Sequence, residues 1–291
     1  MRAGRVATTV LVASAVVACG AGKGRDLVVT GTPPAVPYGG PLHVPVKHGG
    51  EDGVRAARAE SGAAGRALEC DGEIYSGAGS GPWSKGDGGA TPREGLEVFF
   101  DIEQPDLPHY GYRVERREAD RVLYSFDVGG RTKVAVVVAK DQKNRPGWGP
   151  ETSASCDPAE LPASFTDTQP YEIWTDRDGR RVPVAKVSGG AGPEHCDWQK
   201  AHFLSLGEGE GEGEGAAGGR TYARDPDGVL PDGMLTVPYD GDVRMPADAH
   251  DTGYRYHDRR LWLTGDPSRA YVRTSHGVQA WARVKDGYGC K

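Results

Sequence analysis

The strongest constraint on the fold is the run Thr-Lys-Val-Ala-Val-Val-Val-Ala at residues 132–139. Side chains alternate between the two faces of a strand, so a run that is apolar at both parities must be covered on both faces. Residues 112–116 and 122–128 alternate apolar with polar side chains, as strands do. Gly129-Gly130 suits a two-residue hairpin turn, which needs positive φ at both positions. The sequence therefore predicts an antiparallel β-meander with the valine run at its buried centre.

Two helices are predicted to pack on this meander. Residues 54–68 are rich in Ala and Arg, which favours a helix. A second helix is predicted from Thr91, a good N-cap residue, with Pro92 at the first position and Glu94 placed for a capping box. Its apolar face consists of Leu96, Phe99, Phe100 and Ile102. We therefore expect residues 51–156 to form an α+β lobe in which helices pack on an antiparallel β-meander.

The second half of the chain predicts a smaller, mostly-β C-terminal lobe at residues 220–291. Its meander is expected from three strand-like segments, at residues 260–264, 270–274 and 278–284. Residues 157–206 are predicted to be a connection containing one hairpin, whose strands at 171–175 and 181–187 flank a turn at 176–179. Gly and Glu alternate within residues 207–219, which predicts a flexible loop because such a sequence cannot bury apolar area.

The first 18 residues have the layout of a bacterial export signal. Arg2 and Arg5 precede an apolar run at residues 6–17, which is shorter than the roughly 20 residues that a membrane-spanning helix needs. Residues 19–50 are rich in Gly and Pro and show no sustained periodicity, so we expect them to form a flexible tether.

The end of this signal, Val16-Val17-Ala18-Cys19, resembles the bacterial lipobox. The resemblance implies that Cys19 carries a diacylglyceryl group, that its new amino terminus can be acylated, for example with palmitate, and that the protein is anchored to the outer face of the cytoplasmic membrane. The chain is also similar in composition to uncharacterised lipoproteins of actinomycete bacteria, with few Ile and Asn and abundant Ala, Gly and Arg. An ordinary secretory signal with a chance cysteine, or a short uncleaved anchor, is the alternative.

Net charge and cysteine content narrow the range of partners and compartments. Loss of Arg2 and Arg5 changes the formal charge from −6 to −8, and an acidic surface argues against nucleic acid as the main partner. Four cysteines remain after Cys19, and an even number in an exported chain predicts two disulfides. Three connectivities are possible, and we favour Cys70 with Cys156 and Cys196 with Cys290, because each bond would tie the ends of one lobe. Their wide spacing argues against a metal site.

One residue pattern suggests a binding surface. In the C-terminal meander the apolar residues share one parity, and a second set is expected on the opposite face: Trp262, Tyr271, Arg273, Trp281 and Arg283. Aromatic and Arg side chains are favoured at interaction hot spots, so this face could bind a protein or a glycan. The alternative is that the aromatics are core residues packed against the first lobe, with the arginines reaching its edge.

No motif in the sequence predicts catalysis or a bound cofactor. Ser80 lacks the G-x-S-x-G frame of an esterase, and Cys196 next to His195 is expected to be oxidised rather than nucleophilic. Two calcium-like segments, beginning at Asp176 and Asp225, lack the Glu at the twelfth position. We therefore predict a non-catalytic binding or interaction module of the cell envelope, whose ligand is a protein, glycan or small solute. An envelope hydrolase with residues that converge only in the fold is the alternative, and a structural or chaperone-like accessory is a third possibility.

Overall fold

The computed structural model describes residues 26–30, 32–46, 54–76, 83–207 and 219–288. The described strands form two antiparallel sheets, one with five strands and one with eight. The predicted α+β class is confirmed in its coarse form, although β-structure predominates and helices are few. No described helix is long and apolar enough to cross a membrane.

The first lobe contains a five-stranded open sheet in the spatial order one-five-four-three-two. Its strands are β1 (Ile74–Ser76), β2 (Tyr112–Arg117), β3 (Arg121–Val128), β4 (Arg131–Gln142) and β5 (Arg145–Cys156). Its helices are α1 (Val54–Glu60), α2 (Gly62–Ala67) and α3 (Pro92–Ile102), and a 3₁₀ turn (Pro158–Glu160) and α4 (Ala163–Thr166) follow the sheet.

The valine run is the middle strand of this sheet and is buried on both faces, as predicted. Val134, Val136 and Val138 pack into a core with α3. Ala135 and Val137 pack on the opposite face against α2. Helices therefore cover the sheet from both sides.

The turns and caps of the first lobe follow the local sequence closely. Gly129 and Gly130 form the predicted hairpin turn, with φ of 60° and 79°. Thr91 Oγ1 accepts a hydrogen bond from Glu94 N at 3.2 Å, which confirms the N-cap of α3. The side chain of Glu94 accepts from Ala90 N rather than from Thr91 N. The helix predicted at residues 54–68 is divided in two, because Gly62 adopts a positive φ of 55°.

The predicted tether at residues 19–50 is corrected by its described part, residues 26–30 and 32–46. Leu27 is 4% exposed and Leu42 is 1% exposed, and they lie in the cores on opposite faces of the sheet. Val28 N donates to the carbonyl of His109 and Thr30 N donates to the carbonyl of Tyr112. Two buried leucines and these backbone hydrogen bonds hold the segment against the lobe.

The second lobe is an eight-stranded sheet that closes on itself. Its strands are β6 (Tyr171–Ile173), β7 (Val187–Ala191), β8 (His202–Leu206), β9 (Arg220–Arg224), β10 (His250–Tyr256), β11 (Arg259–Leu263), β12 (Arg269–Thr274) and β13 (Gly277–Arg283). Their spatial order is β10-β11-β12-β13-β9-β8-β7-β6. Thr175, just beyond β6, exchanges two backbone hydrogen bonds with Arg255 of β10, at 2.8 and 2.9 Å. These bonds join the two edges and make the sheet a barrel.

The barrel changes the predicted division of the chain. The three C-terminal strands form the expected meander, with bounds close to those predicted. The segment at residues 157–206, predicted as a connection, supplies β6, β7 and β8 of the same barrel. In the predicted hairpin, Thr175 bridges Arg181, but β6 pairs with β7 further along the chain.

The disulfide between Cys70 and Cys156 is present, as predicted. Cys196 is also disulfide-bonded. Its predicted partner, Cys290, lies outside the described residues, as do Cys19 and most of the Gly/Glu segment, residues 208–218. The pairing of Cys196 with Cys290 therefore stays a prediction.

Candidate functional site

A cavity of about 390 Å³ lies between the open sheet and the barrel. Phe99 of α3, Val134 of β4, Leu161 and Phe165 form its apolar floor, and all four belong to the core of the first lobe. Val184 closes it from the barrel side. Apolar cavities of a few hundred Å³ are the usual sites of small ligands in proteins.

Small residues on facing strands leave this space open. Ser153, Ala154 and Ser155 of β5 line one wall, and Ser188 of β7 lines the other. Larger side chains at positions 153, 155 and 188 would fill the gap between the two sheets, whereas the side chain of Ala154 packs in the core on the opposite face of the open sheet. Tyr75 and Gln104 also line the cavity and are exposed, so they mark its side towards solvent.

Asp157 connects the two lobes beside this cavity. Its Oδ1 accepts from Ala159 N at 2.8 Å and so caps the 3₁₀ turn, while its Oδ2 accepts from Val184 N at 3.0 Å. The side chain is buried, and burial raises the pKa of Asp157 above its ordinary value despite these hydrogen bonds. Asp157 thus holds Val184, in the segment between β6 and β7, against the 3₁₀ turn.

A second, more polar pocket of about 540 Å³ adjoins the first. Tyr171, Ile173 and Thr175 line it from the outer face of β6, because strand alternation directs Glu172 and Trp174 into the barrel. The other lining residues are Thr166, Asp167, Gln169, Arg181, Arg255, Tyr256 and His257. Tyr171 and Gln169 line both pockets, so the two form one cleft with an apolar part and a polar part.

Arg181 is a partly buried cation of the polar pocket. Its Nη2 donates to Thr166 Oγ1 at 2.7 Å and lies 3.4 Å from the carbonyl oxygen of Pro158. Its Nε is buried and has no acceptor among the described residues. Burial lowers the pKa of Arg181, and the nearby charge of Asp167 partly offsets this effect. Arginine nevertheless stays protonated in proteins, so the site holds a partly desolvated positive charge.

Arg255 brings a second guanidinium to the same pocket. Its Nη2 lies 3.5 Å from Asp251 Oδ2, at the long end of ion-pair distances. Its Nη1 is buried without an acceptor among the described residues. The barrel closure positions this side chain, because the backbone of Arg255 pairs with Thr175. The pocket therefore combines two guanidinium groups from segments far apart in sequence.

A separate charge cluster lies inside one end of the barrel. Glu172 Oε1 accepts from Arg259 and lies 3.0 Å from His202 Nε2. Burial alone raises the pKa of Glu172, but the hydrogen bonds from His202 and Arg259 outweigh it and bring the pKa below its ordinary value. Gly189 of β7 leaves room for the carboxylate, since a Cβ there would collide with Glu172 Oε2. The cluster lines neither pocket of the cleft, and its role is to join β6, β8 and β11 across the lumen.

The predicted binding face in the C-terminal meander does not form as one surface. Trp262 pairs with Tyr271, but Tyr271 pairs with Ala280, and Trp281 pairs with Ala270. Trp281 is 1% exposed and lies in the barrel core.

The two arginines of that predicted face are separated in the same way. Arg273 is exposed and shares the outer side with Trp262 and Tyr271, whereas Arg283 has the parity of Trp281. This separation results from the two-residue turn between Thr274 and Gly277. The turn fixes the register between β12 and β13 and so determines which side chains of β13 point into the barrel.

Sequence reasoning did not identify the cleft. Arg181 and Arg255 carry no local motif, and only barrel closure brings them together. The small residues 153–155 of β5 and 188–190 of β7 were the available signal, because strands of such small residues leave space beside a neighbouring layer.

Comparisons and metal geometry give no further indication of function. No family model, curated protein or solved structure matches the chain. Within the described ranges, no group of three or more His, Cys, Asp or Glu side chains is placed to hold a metal ion. The cleft itself is therefore the basis for a functional assignment.

Proposed function

We propose that the protein is a lipid-anchored, extracytoplasmic binding protein that holds a small, largely apolar molecule in the cleft between its two lobes. The observation that carries the proposal is the cavity of about 390 Å³ with its floor of Phe99, Val134, Leu161 and Phe165. Removal of an apolar ligand from water favours binding by roughly 25 cal/mol per Å² of apolar surface buried. Of the partners expected from the sequence, a small solute fits this cavity best.

The proposed lipid anchor is supported by the segment Val16-Val17-Ala18-Cys19. The position of Cys19 limits how far the first lobe would lie from the membrane. Leu27, which packs into the first lobe, is the eighth residue after Cys19. Even when fully extended, the chain from Cys19 to Leu27 spans at most about 28 Å. With a lipid on Cys19, the first lobe would therefore lie close to the membrane instead of standing away from it on a long tether.

The cleft is tested by binding of Nile red, a neutral fluorescent dye, and its displacement by decanol. Wild-type protein is expected to bind both, and Ser188→Phe should weaken binding about tenfold, or about 1.4 kcal/mol, because the new ring fills the cavity. Ser205→Phe is the matched control, since Ser205 pairs with Ser188 on the next strand but does not line the cavity. Absence of binding to wild-type protein, or equal effects of the two variants, would contradict the proposal.

The anchor is tested separately in cells of the native or a related host. Wild-type protein should fractionate with membranes and carry the mass of a diacylglyceryl group on Cys19. Cys19→Ala should leave the precursor unprocessed or release the protein. Membrane-extracted wild-type protein with an unmodified Cys19 would refute the anchor and leave the cleft proposal untouched.

A further inference from the structure

We infer that the polar pocket binds an anionic group of the same ligand, so that the ligand is an amphipathic anion: a carboxylate or phosphate monoester on an apolar chain. This inference rests on the proposed function of the cleft and specifies its ligand class. The two pockets have Tyr171 and Gln169 in common, so one molecule can place its chain among the apolar residues and its head group near Arg181 and Arg255.

The charge of Arg181 is the first argument for an anion. Among the described residues, no carboxylate lies within ion-pair distance of this guanidinium, which is held only by Thr166 Oγ1 and a backbone carbonyl. Buried or half-buried charges in proteins are usually paired, because an unpaired charge loses hydration without compensation. A bound anion would supply the missing counter-charge.

The second argument is that two guanidinium groups line one pocket. Among the described residues, Asp251 is the one carboxylate within ion-pair distance of Arg255, at 3.5 Å, and the buried Nη1 of Arg255 has no acceptor there. The lining residues include one carboxylate, Asp167, which is exposed and partly offsets this positive charge. Guanidinium groups match the oxygen pairs of carboxylates and phosphates, and such charge-assisted hydrogen bonds are about twice as strong as neutral ones.

The position of the arginines relative to the apolar cavity is the third argument. Arg181 contacts the carbonyl of Pro158, and Pro158 itself lines the apolar cavity. A free inorganic anion could occupy the polar pocket alone, but it would leave the adjoining apolar cavity filled only by water. An amphipathic anion uses both parts of the cleft.

The test compares decanoate and decyl phosphate with decanol, each as a competitor of Nile red. The chain is the same in all three, so a difference in affinity reports the head group. Wild-type protein is expected to bind at least one of the two anions about tenfold more tightly than decanol, and the preference should fall as salt concentration rises. The anion that shows the preference identifies the head group as carboxylate or phosphate.

Arg255→Gln is the principal variant, and it should remove the preference for the anion while leaving decanol affinity unchanged. Arg181→Gln should do the same, but it also removes a link to α4, so its folding must be checked by thermal unfolding. Arg180→Gln is the matched control, because Arg180 is exposed and pairs with Asp176 and Asp178 outside the pocket. It should retain the full preference.

The outcomes separate this inference from the proposed function. Binding of Nile red and decanol without any preference for the anions would overturn the anion site and leave the apolar cleft intact. A preference that survives Arg255→Gln in folded protein would also overturn it. Failure of wild-type protein to bind any of the compounds would refute both proposals.

Discussion

The two sheets of this protein bury their side chains by different means. The open sheet of the first lobe is covered by helices on both faces, and residues 134–139 of its middle strand are apolar at both parities. The barrel covers its own interior, so β11 and β12 bury only one parity, whereas β9 and β13 also bury Ala223, Ala280 and Ala282 on the outer side of the barrel. Composition reveals burial in the open sheet, whereas in the barrel the strand register decides which residues are inside.

The largest expected effect comes from Trp281, which the register places in the barrel core. Trp281→Ala should lower the free energy of unfolding by about 3–5 kcal/mol, as truncation of a buried large aromatic does. Trp262→Ala is the matched control, because Trp262 lies on the outer side of the neighbouring β11 and is only partly buried. Trp262→Ala should lower the free energy of unfolding by less than half as much, as measured by chemical denaturation. Equal losses from the two variants would show that the barrel does not separate its two parities in this way.

The first lobe could be predicted largely from sequence because its determinants are local. The valine run, the Gly129-Gly130 turn and the Thr91 cap each specify a structure within a few residues of themselves. The described part of the segment predicted as a tether was missed because Leu27 and Leu42 lie in short apolar stretches among Gly and Pro, with no sustained periodicity to reveal their burial.

The barrel and the cleft could not be predicted, because they depend on contacts between distant residues. Closure requires Thr175 to pair with Arg255, and no local pattern in either segment indicates the other. The same closure places Arg181 and Arg255 in one pocket. The parity of Trp281 was also beyond a sequence argument, since one residue more or less in the preceding turn would reverse it.

An intermediate effect is expected from the charge cluster inside the barrel. Glu172→Gln should cost about 1–3 kcal/mol at neutral pH, because hydrogen bonds from Arg259 and His202 lose their charged acceptor. The lowered pKa of Glu172 also gives a pH dependence. The carboxylate stabilises the fold above its ordinary pKa of 4.5, and this contribution is lost as pH falls through the lower pKa of the folded state. Denaturation at a series of acidic pH values should show that loss in wild-type protein and a flatter profile in the variant.

Asp157, at the junction between the lobes, is expected to give a pH dependence of stability opposite in sign to that of Glu172. Burial raises its pKa above the ordinary value of 3.8, so folding favours the protonated acid, and that contribution is lost as pH rises through the folded-state pKa. Asp157→Asn keeps an acceptor for Val184 N. The variant should reduce the pH dependence that Asp157 causes without changing the one that Glu172 causes. If both variants altered the acid profile in the same direction, the assignment of the two carboxylates would be wrong.

The smallest effect is expected from the N-cap of α3, the helix that packs on one face of the open sheet. Thr91→Ala removes the hydroxyl that accepts from Glu94 N, and loss of such a cap typically costs about 1 kcal/mol. The cost is small because the cap is exposed and water can replace the lost acceptor.

Helix α3 also carries Phe99 into the floor of the apolar cavity. In Thr91→Ala the amides of α3 should exchange about fivefold faster, because a loss of about 1 kcal/mol raises local opening by that factor, whereas the exchange of the β11 amides in the barrel should be unchanged. Thr91→Ser keeps the hydroxyl and should retain the wild-type exchange rates, as measured by hydrogen exchange and mass spectrometry. Faster exchange of α3 and β11 together would mean that the open sheet and the barrel unfold as one unit, because loss of a cap on a helix of the first lobe would then lower the stability of the barrel as well.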